Sequence, residues 1–194
     1  MKNILIVCSL FISFFLNAQV IKIENGISHS STKYNKEDKC YHNGFAGLIS
    51  IDYFQKKNYY LSSRIGYTTT GYFAYDYDFA GYPVNRHKAI AEYFSFSTSI
   101  RGTMPVFNAH IYVGFGAKID YCLNKLEKTP EFQTTNKFKN MFGPIIDLGC
   151  YKDFNKYRIG INISYLTNSN MIPYNVKKNI YSLYLGYNFS NLKK

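Results

Sequence analysis

The sequence predicts an all-β chain, an eight-stranded antiparallel up-and-down transmembrane β-barrel that follows a cleaved signal peptide. Three observations predict it. Apolar and polar residues alternate with period two in one segment after another. The connections between these segments are tight turns and long polar loops by turns. The composition is heavy in strand-forming aromatics, with 20 Tyr, 16 Phe and no Trp in 194 residues.

The first element is the export signal, residues 1–18. Lys2 gives a positive start, Ile4 to Leu16 is an uncharged apolar run, and Ala18 offers a small residue for cleavage. That run is shorter than the roughly 20 residues a spanning helix needs. Residues 19–194 then form the barrel domain. Loss of Lys2 lowers the formal charge from +11 to about +10. In an exported chain this basic balance points to acidic lipid headgroups and lipopolysaccharide phosphates rather than to nucleic acid.

Strands are expected at Val20–His29, Gly44–Phe54, Tyr59–Gly71, Ala91–Thr103, Ala109–Leu123, Met141–Phe154, the segment through Ile159–Tyr165, and Asn179–Phe189. The last is the clearest. Tyr181, Leu183, Leu185, Tyr187 and Phe189 share one face, and Ser182, Tyr184, Gly186 and Asn188 the other. In the segment before it, Ile159, Ile161, Ile163 and Tyr165 oppose Gly160, Asn162 and Ser164. In the fifth, Ile111, Val113, Phe115, Ala117, Ile119 and Tyr121 oppose Tyr112, Gly114, Gly116, Lys118 and Asp120. Pro144 argues against a regular ladder at the start of the sixth.

Gln55–Asn58, Met104–Asn108 and Asn155–Lys156 read as tight periplasmic turns. Ser30–Asn43, Tyr72–Ile90, Asn124–Asn140 and Thr167–Lys178 read as long outer loops. Aromatic girdles are expected from Tyr53, Tyr59, Phe107, Tyr157 and Phe189 at the periplasmic rim. Tyr67, Phe94, Tyr121, Phe142, Tyr165 and Tyr181 would form the outer one. The apolar row should face lipid, because the opposing row is too small and polar for an oily core.

The ordered motifs Gly44-Phe45-Ala46-Gly47-Leu48, Arg64-Ile65-Gly66-Tyr67 leading to Gly71, Ile111-Tyr112-Val113-Gly114-Phe115-Gly116, and Leu185-Gly186-Tyr187-Asn188-Phe189 span nearly the whole mature chain. In these the chain resembles the PorT-like outer-membrane β-barrel domain family of Gram-negative bacteria. It departs from the family at Tyr93-Phe94-Ser95-Phe96 and in the Ser190–Lys194 extension beyond the last aromatic. The resemblance implies a cell outer-membrane location and dealings with barrel-assembly machinery. It implies no catalytic residues.

Extending the alternation puts Lys22, Glu24, Asp52, Arg64, Arg101, Lys118, Asp120 and Asp147 on the inward face, a formal balance of zero. Unpaired charges in a narrow barrel would be costly, so a paired, plugged interior is expected over a conducting path. Arg64 and Arg101 should find partners among Glu24, Asp52, Asp120 and Asp147. The stretch Tyr72, Phe73, Tyr75, Tyr77, Phe79 and Tyr82, interleaved with Asp76, Asp78 and Gly81, reads as a surface-recognition loop for an extracellular or envelope protein partner, or as packing between loops.

His29, His42 and His87 fall near the outer rim with Ser28, Ser30 and Ser31, but no spacing selects a catalytic set. The absence of CxxC argues against a zinc pattern, and no cofactor motif occurs. If any thiols pair, Cys40 and Cys122 are the best placed, with Cys150 facing lipid. A non-enzymatic structural or surface-binding barrel is therefore expected. The alternatives are an outer-rim acyltransferase or protease and a secreted soluble lipocalin-like carrier.

Overall fold

The computed structural model describes residues 18–34, 38–77, 83–123, 140–166 and 174–189. The signal segment up to residue 17 and the body of the Asn124–Asn140 loop lie outside them. Eight strands follow in order: β1 (Ala18–Tyr34), β2 (Asp38–Tyr53), β3 (Tyr59–Tyr77), β4 (Pro83–Val106), β5 (Ala109–Cys122), β6 (Met141–Phe154), β7 (Tyr157–Leu166) and β8 (Tyr174–Asn188). Each pairs antiparallel with its neighbour, and β1 pairs with β8 from Val20↔Asn188 to Tyr34↔Tyr174. The sheet closes on itself and leaves no edge within the barrel wall.

The alternation turns each strand inside out relative to a soluble protein. In β7 every second residue from Arg158 to Leu166 is buried, while Ile159, Ile161 and Ile163 are exposed. Leu183 and Phe115 stand 68 % and 67 % exposed, whereas Lys22, Asp52 and Arg101 are at 0 %. Large apolar side chains on the outside and charges within suit a wall whose solvent is lipid.

Glycines let so few strands close. An added Cβ at Gly26, Gly66, Gly116 or Gly160 would collide with a backbone carbonyl of the adjacent strand, at Tyr181, Gly47, Thr98 and Cys150 respectively. These four positions, one on each of β1, β3, β5 and β7, and Gly149 on β6 against Ile161, are places where neighbouring strands approach too closely for a side chain. Gly114 and Gly186 serve differently. A Cβ at either would lie 2.7 Å from Cγ of Arg101 and Lys22, whose stems cross the space the missing side chain leaves.

Three segments depart from the sequence expectation. The supposed loops Ser30–Asn43 and Tyr72–Ile90 are mostly strand: β1 and β2 stay paired to Tyr34↔Asp38, and β3 and β4 to Tyr77↔Pro83. Likewise β8 begins at Tyr174, inside the supposed loop Thr167–Lys178. In these stretches the apolar–polar alternation of the sequence is broken although the ladder continues. The β4–β5 connection is correspondingly tighter, a two-residue turn at Phe107–Asn108 between the pair Val106↔Ala109. Pro144 does sit in the ladder, paired with Ala117 of β5. On its other side the first described β6–β7 pair is Ile145↔Leu166.

Candidate functional site

The chemistry-bearing side chains converge on the lumen. Lys22, Glu24, Asp52, Arg64, Arg101, Lys118, Asp120 and Asp147 all lie inside, between 0 % and 4 % exposed. Arg158 and Lys178 join them. The balance of zero expected from sequence is therefore corrected: six buried cations face the four buried carboxylates Glu24, Asp52, Asp120 and Asp147 among the described residues. Arg158 sits one step before the counted part of β7, and Lys178 lies in a stretch read as loop.

These groups form three tiers between the short-turn end and the hairpin end. At the turn end, Lys22 Nζ donates to Asp52 Oδ1 at 2.7 Å and Arg158 Nη1 to Asp52 Oδ2 at 3.2 Å. Arg158 also grips Asp153 with two bonds, from Nε at 2.7 Å and Nη2 at 3.0 Å. A cluster of Tyr60, Tyr112, Tyr151 and Tyr184 closes this end. Arg158 stacks 3.9 Å over Tyr151, and Lys22 lies 4.9 Å over Tyr184.

The middle tier centres on Asp147. It accepts from Arg64 Nη2 at 2.7 Å, from Arg101 Nη2 at 3.0 Å, from Ser99 Oγ at 2.7 Å and from Ser164 Oγ. Arg64 and Arg101 thus share one carboxylate. Glu24 instead accepts hydroxyls, from Ser50 at 2.6 Å and Ser182 at 3.2 Å. In the upper tier Lys118 and Lys178 share Asp120, at 2.9 and 3.2 Å. Lys178 also donates to Thr68 at 2.6 Å, and Ser95 completes the carboxylate's shell. Buried serines and threonines stand among these charges, so the carboxylates have donors without bulk in a narrow bore.

The hairpin end closes by a different device. The β2–β3 ladder stops at Ala46↔Thr68, while β3 and β4 continue together. Past that point β3 is held by β1, a strand with which it does not pair: Ser28 Oγ donates to the Thr69 carbonyl at 2.8 Å, and Gly71 N–H donates to Ser30 Oγ at 3.1 Å. Because Ser28 and Ser30 point inward, this stretch of β3 leans across the mouth, with Thr68 and Thr70 buried.

The residues of the supposed recognition loop divide. Tyr72, Phe73, Tyr75 and Tyr77 belong to the β3 arm, opposite Ala89, Lys88, Arg86 and Pro83, whereas Phe79 and Tyr82 lie outside the described residues. Of the rim histidines and serines, the side chain of His87 lies outside the described residues, and His29, His42, Ser28 and Ser30 are engaged as follows. His29 Nδ1 bonds Asn43 at 2.6 Å, His42 approaches Thr69 at 3.4 Å, and the Ser28 and Ser30 hydroxyls are used on β3. Cys150 is a free, half-buried thiol on the outward row of β6; the side chain of Cys40 lies outside the described residues. Of the expected girdle, Tyr53 alone is buried, against Phe54 at 5.5 Å and bonded to Ser63 at 3.0 Å.

No family model and no curated protein matches the chain. Solved structures do. Ail, the attachment invasion locus protein of Yersinia pestis, is 14 % identical, with a TM-score of 0.52 over 88 % of this chain and 98 % of Ail. Neisserial surface protein A is 13 % identical, with a TM-score of 0.55 over 87 % of this chain and 97 % of its own. The outer membrane protein AlkL, determined in lipid bilayers, is 13 % identical, with a TM-score of 0.52 over 89 % and 90 %. The fold is that of these small barrels, and with a lipid-facing apolar belt around a charged interior the chain is an outer-membrane β-barrel.

Proposed function

We propose that the chain is a non-enzymatic outer-membrane barrel of PorT-like type, a rigid closed cylinder that carries a surface-binding arm outside the cell. One observation carries this: the lumen is filled by side chains at or near 0 % exposure, while the β3–β4 hairpin runs on past the last β2–β3 pair to Tyr77 and Pro83. A bore packed in this way offers no through-path for solute. The arm, rich in Tyr and Phe, is then the part able to meet a partner, and loops borne on a rigid scaffold commonly have that role. Ail, solved with a heparin analogue, makes extracellular recognition the first activity to seek. Lipopolysaccharide would surround the outer rim, and the barrel-assembly machinery would act on the chain during insertion. The lipocalin-like alternative is disfavoured because its apolar face would line the cavity.

Protease sites inserted near Asn85 and between Gln55 and Asn58 test the arrangement on intact cells. The first should be cut, and the second protected until the outer membrane is opened. Equal cleavage of both on intact cells would overturn it.

A further inference from the structure

Phenylalanine recurs at the turn end of the barrel, once at each of the three hairpins and once at the β8–β1 seam: Phe54 after β2, Phe107 between β4 and β5, Phe154 at the close of β6, and Phe189 after β8. All four are solvent-facing, and Phe107 is fully so at 101 %. Phe54 and Phe107 hold φ at 52° and 54°, in the left-handed region. Phe107 opens its two-residue turn as Asn155, with φ 51°, opens the β6–β7 turn. Asparagine suits that conformation, and a bulky aromatic residue is an outlier there. Backbone preference therefore does not explain Phe107, and no contact within the described protein buries its ring.

Exposed lysines share this rim. Lys56 and Lys57 lie on the β2–β3 turn, and Lys152 and Lys156 at the β6–β7 turn, four strands away around the ring. Lys152 Nζ sits 5.1 Å over the Phe154 ring. Asp153, the one carboxylate among these turn residues, is engaged by Arg158, with bonds of 2.7 and 3.0 Å. Arg158 thus pairs with the rim's carboxylate, and among the described residues the four exposed ammonium groups have no carboxylate paired with them.

From this charge complementarity we propose that the turn-end rim binds anionic phospholipid headgroups of the periplasmic leaflet. The phenylalanine rings would sink to the acyl boundary, Lys56, Lys57 and Lys156 on the turns would reach the phosphates, and Lys152, two residues inside Phe154 on the outward row of β6, would reach them by running its stem along that ring toward the turn. This goes beyond the plug and the outer arm and rests on the proposed orientation only in naming the leaflet, so loss of arm binding leaves it untouched.

Electron spin resonance tests it with the full mature chain folded in phosphatidylcholine vesicles containing spin-labelled phosphatidylglycerol or spin-labelled phosphatidylcholine. The anionic probe should be motionally restricted by the barrel several-fold more than the neutral one at low salt, and less so at high salt. The combined variant Lys56→Gln, Lys57→Gln, Lys152→Gln, Lys156→Gln should lose that preference while heat-modifiable gel mobility shows a folded barrel. Equal association of both probes with the unmutated chain would overturn the proposal. So would a preference that survives in the variant, since it would then come from basic residues elsewhere. Should the fourfold variant fail to fold, each turn's pair of substitutions made alone should lower the preference, and no change in either pair overturns the proposal equally.

Discussion

Replacing Asp147 by asparagine would remove the one carboxylate that Arg64 and Arg101 share in the middle of the lumen, at 2.7 and 3.0 Å. The side chain keeps its size, so packing changes little and the charge is what is tested. Among the described residues neither arginine makes a second ion pair. Arg64 is otherwise bonded to Ser97 and Ser164, and Arg101 to Ser99 and the face of Tyr112. Exposure of the three side chains is 2 % or less, so water cannot substitute. Breaking a buried pair costs about 3–5 kcal/mol. With two guanidinium groups stranded at once, the upper part of that range is expected. Against a total stability of roughly 5–15 kcal/mol, this is a large fraction. Reversible urea unfolding in lipid vesicles measures it, and adding Arg101→Met to Asp147→Asn should recover part of the loss, because one stranded charge goes. A loss below about 1 kcal/mol, as for a solvent-exposed pair, would refute a dry interior.

Three further outcomes are expected. Ile161→Arg places a charge on the lipid face without a partner and should cost roughly 2–4 kcal/mol if it lies near the bilayer midplane; free tolerance in the same unfolding assay would mean the faces are reversed. Gly116→Val should block barrel closure, seen as loss of heat-modifiable gel mobility, because a Cβ there collides with the Thr98 carbonyl; a fully folded variant would contradict that close approach. Non-reducing peptide mapping should find Cys150 unbridged, and if any pair is oxidised it should be Cys40–Cys122; a bridged Cys150 would overturn that pairing.

Legibility from the sequence follows solvent contrast. Where one face of a strand meets lipid and the other the lumen, hydrophobicity flips at every residue, and counting by two assigns Ile159, Ile161 and Ile163 outward and Asn162 and Ser164 inward. Arg158 obeys the same parity but lies at the strand's first turn, where Tyr157 and Lys156 obscure the start. Lys178 was hidden for a different reason: Tyr174–Lys178 precedes the apolar belt, so its polar residues read as loop although the ladder with β1 runs through them. The β3–β4 arm is masked in the same way. Pairing could not be counted at all. That Arg64 and Arg101 both choose Asp147, and that Glu24 is left to serines, depends on barrel stagger, which sets which inward residues of distant strands meet. The strap that draws Thr69 and Gly71 onto Ser28 and Ser30 has no sequence signature, since it joins strands that do not pair.

Planar-bilayer conductance of the folded mature chain tests the closed, charge-filled barrel most directly. Packed side chains from the Tyr60–Tyr184 cluster to the Thr68–Gly71 strap predict insertion without a steady open level. A stable, large, ohmic conductance from the unmutated protein would contradict the account, since it requires a water-filled bore where Asp52, Asp147 and Asp120 lie fully buried.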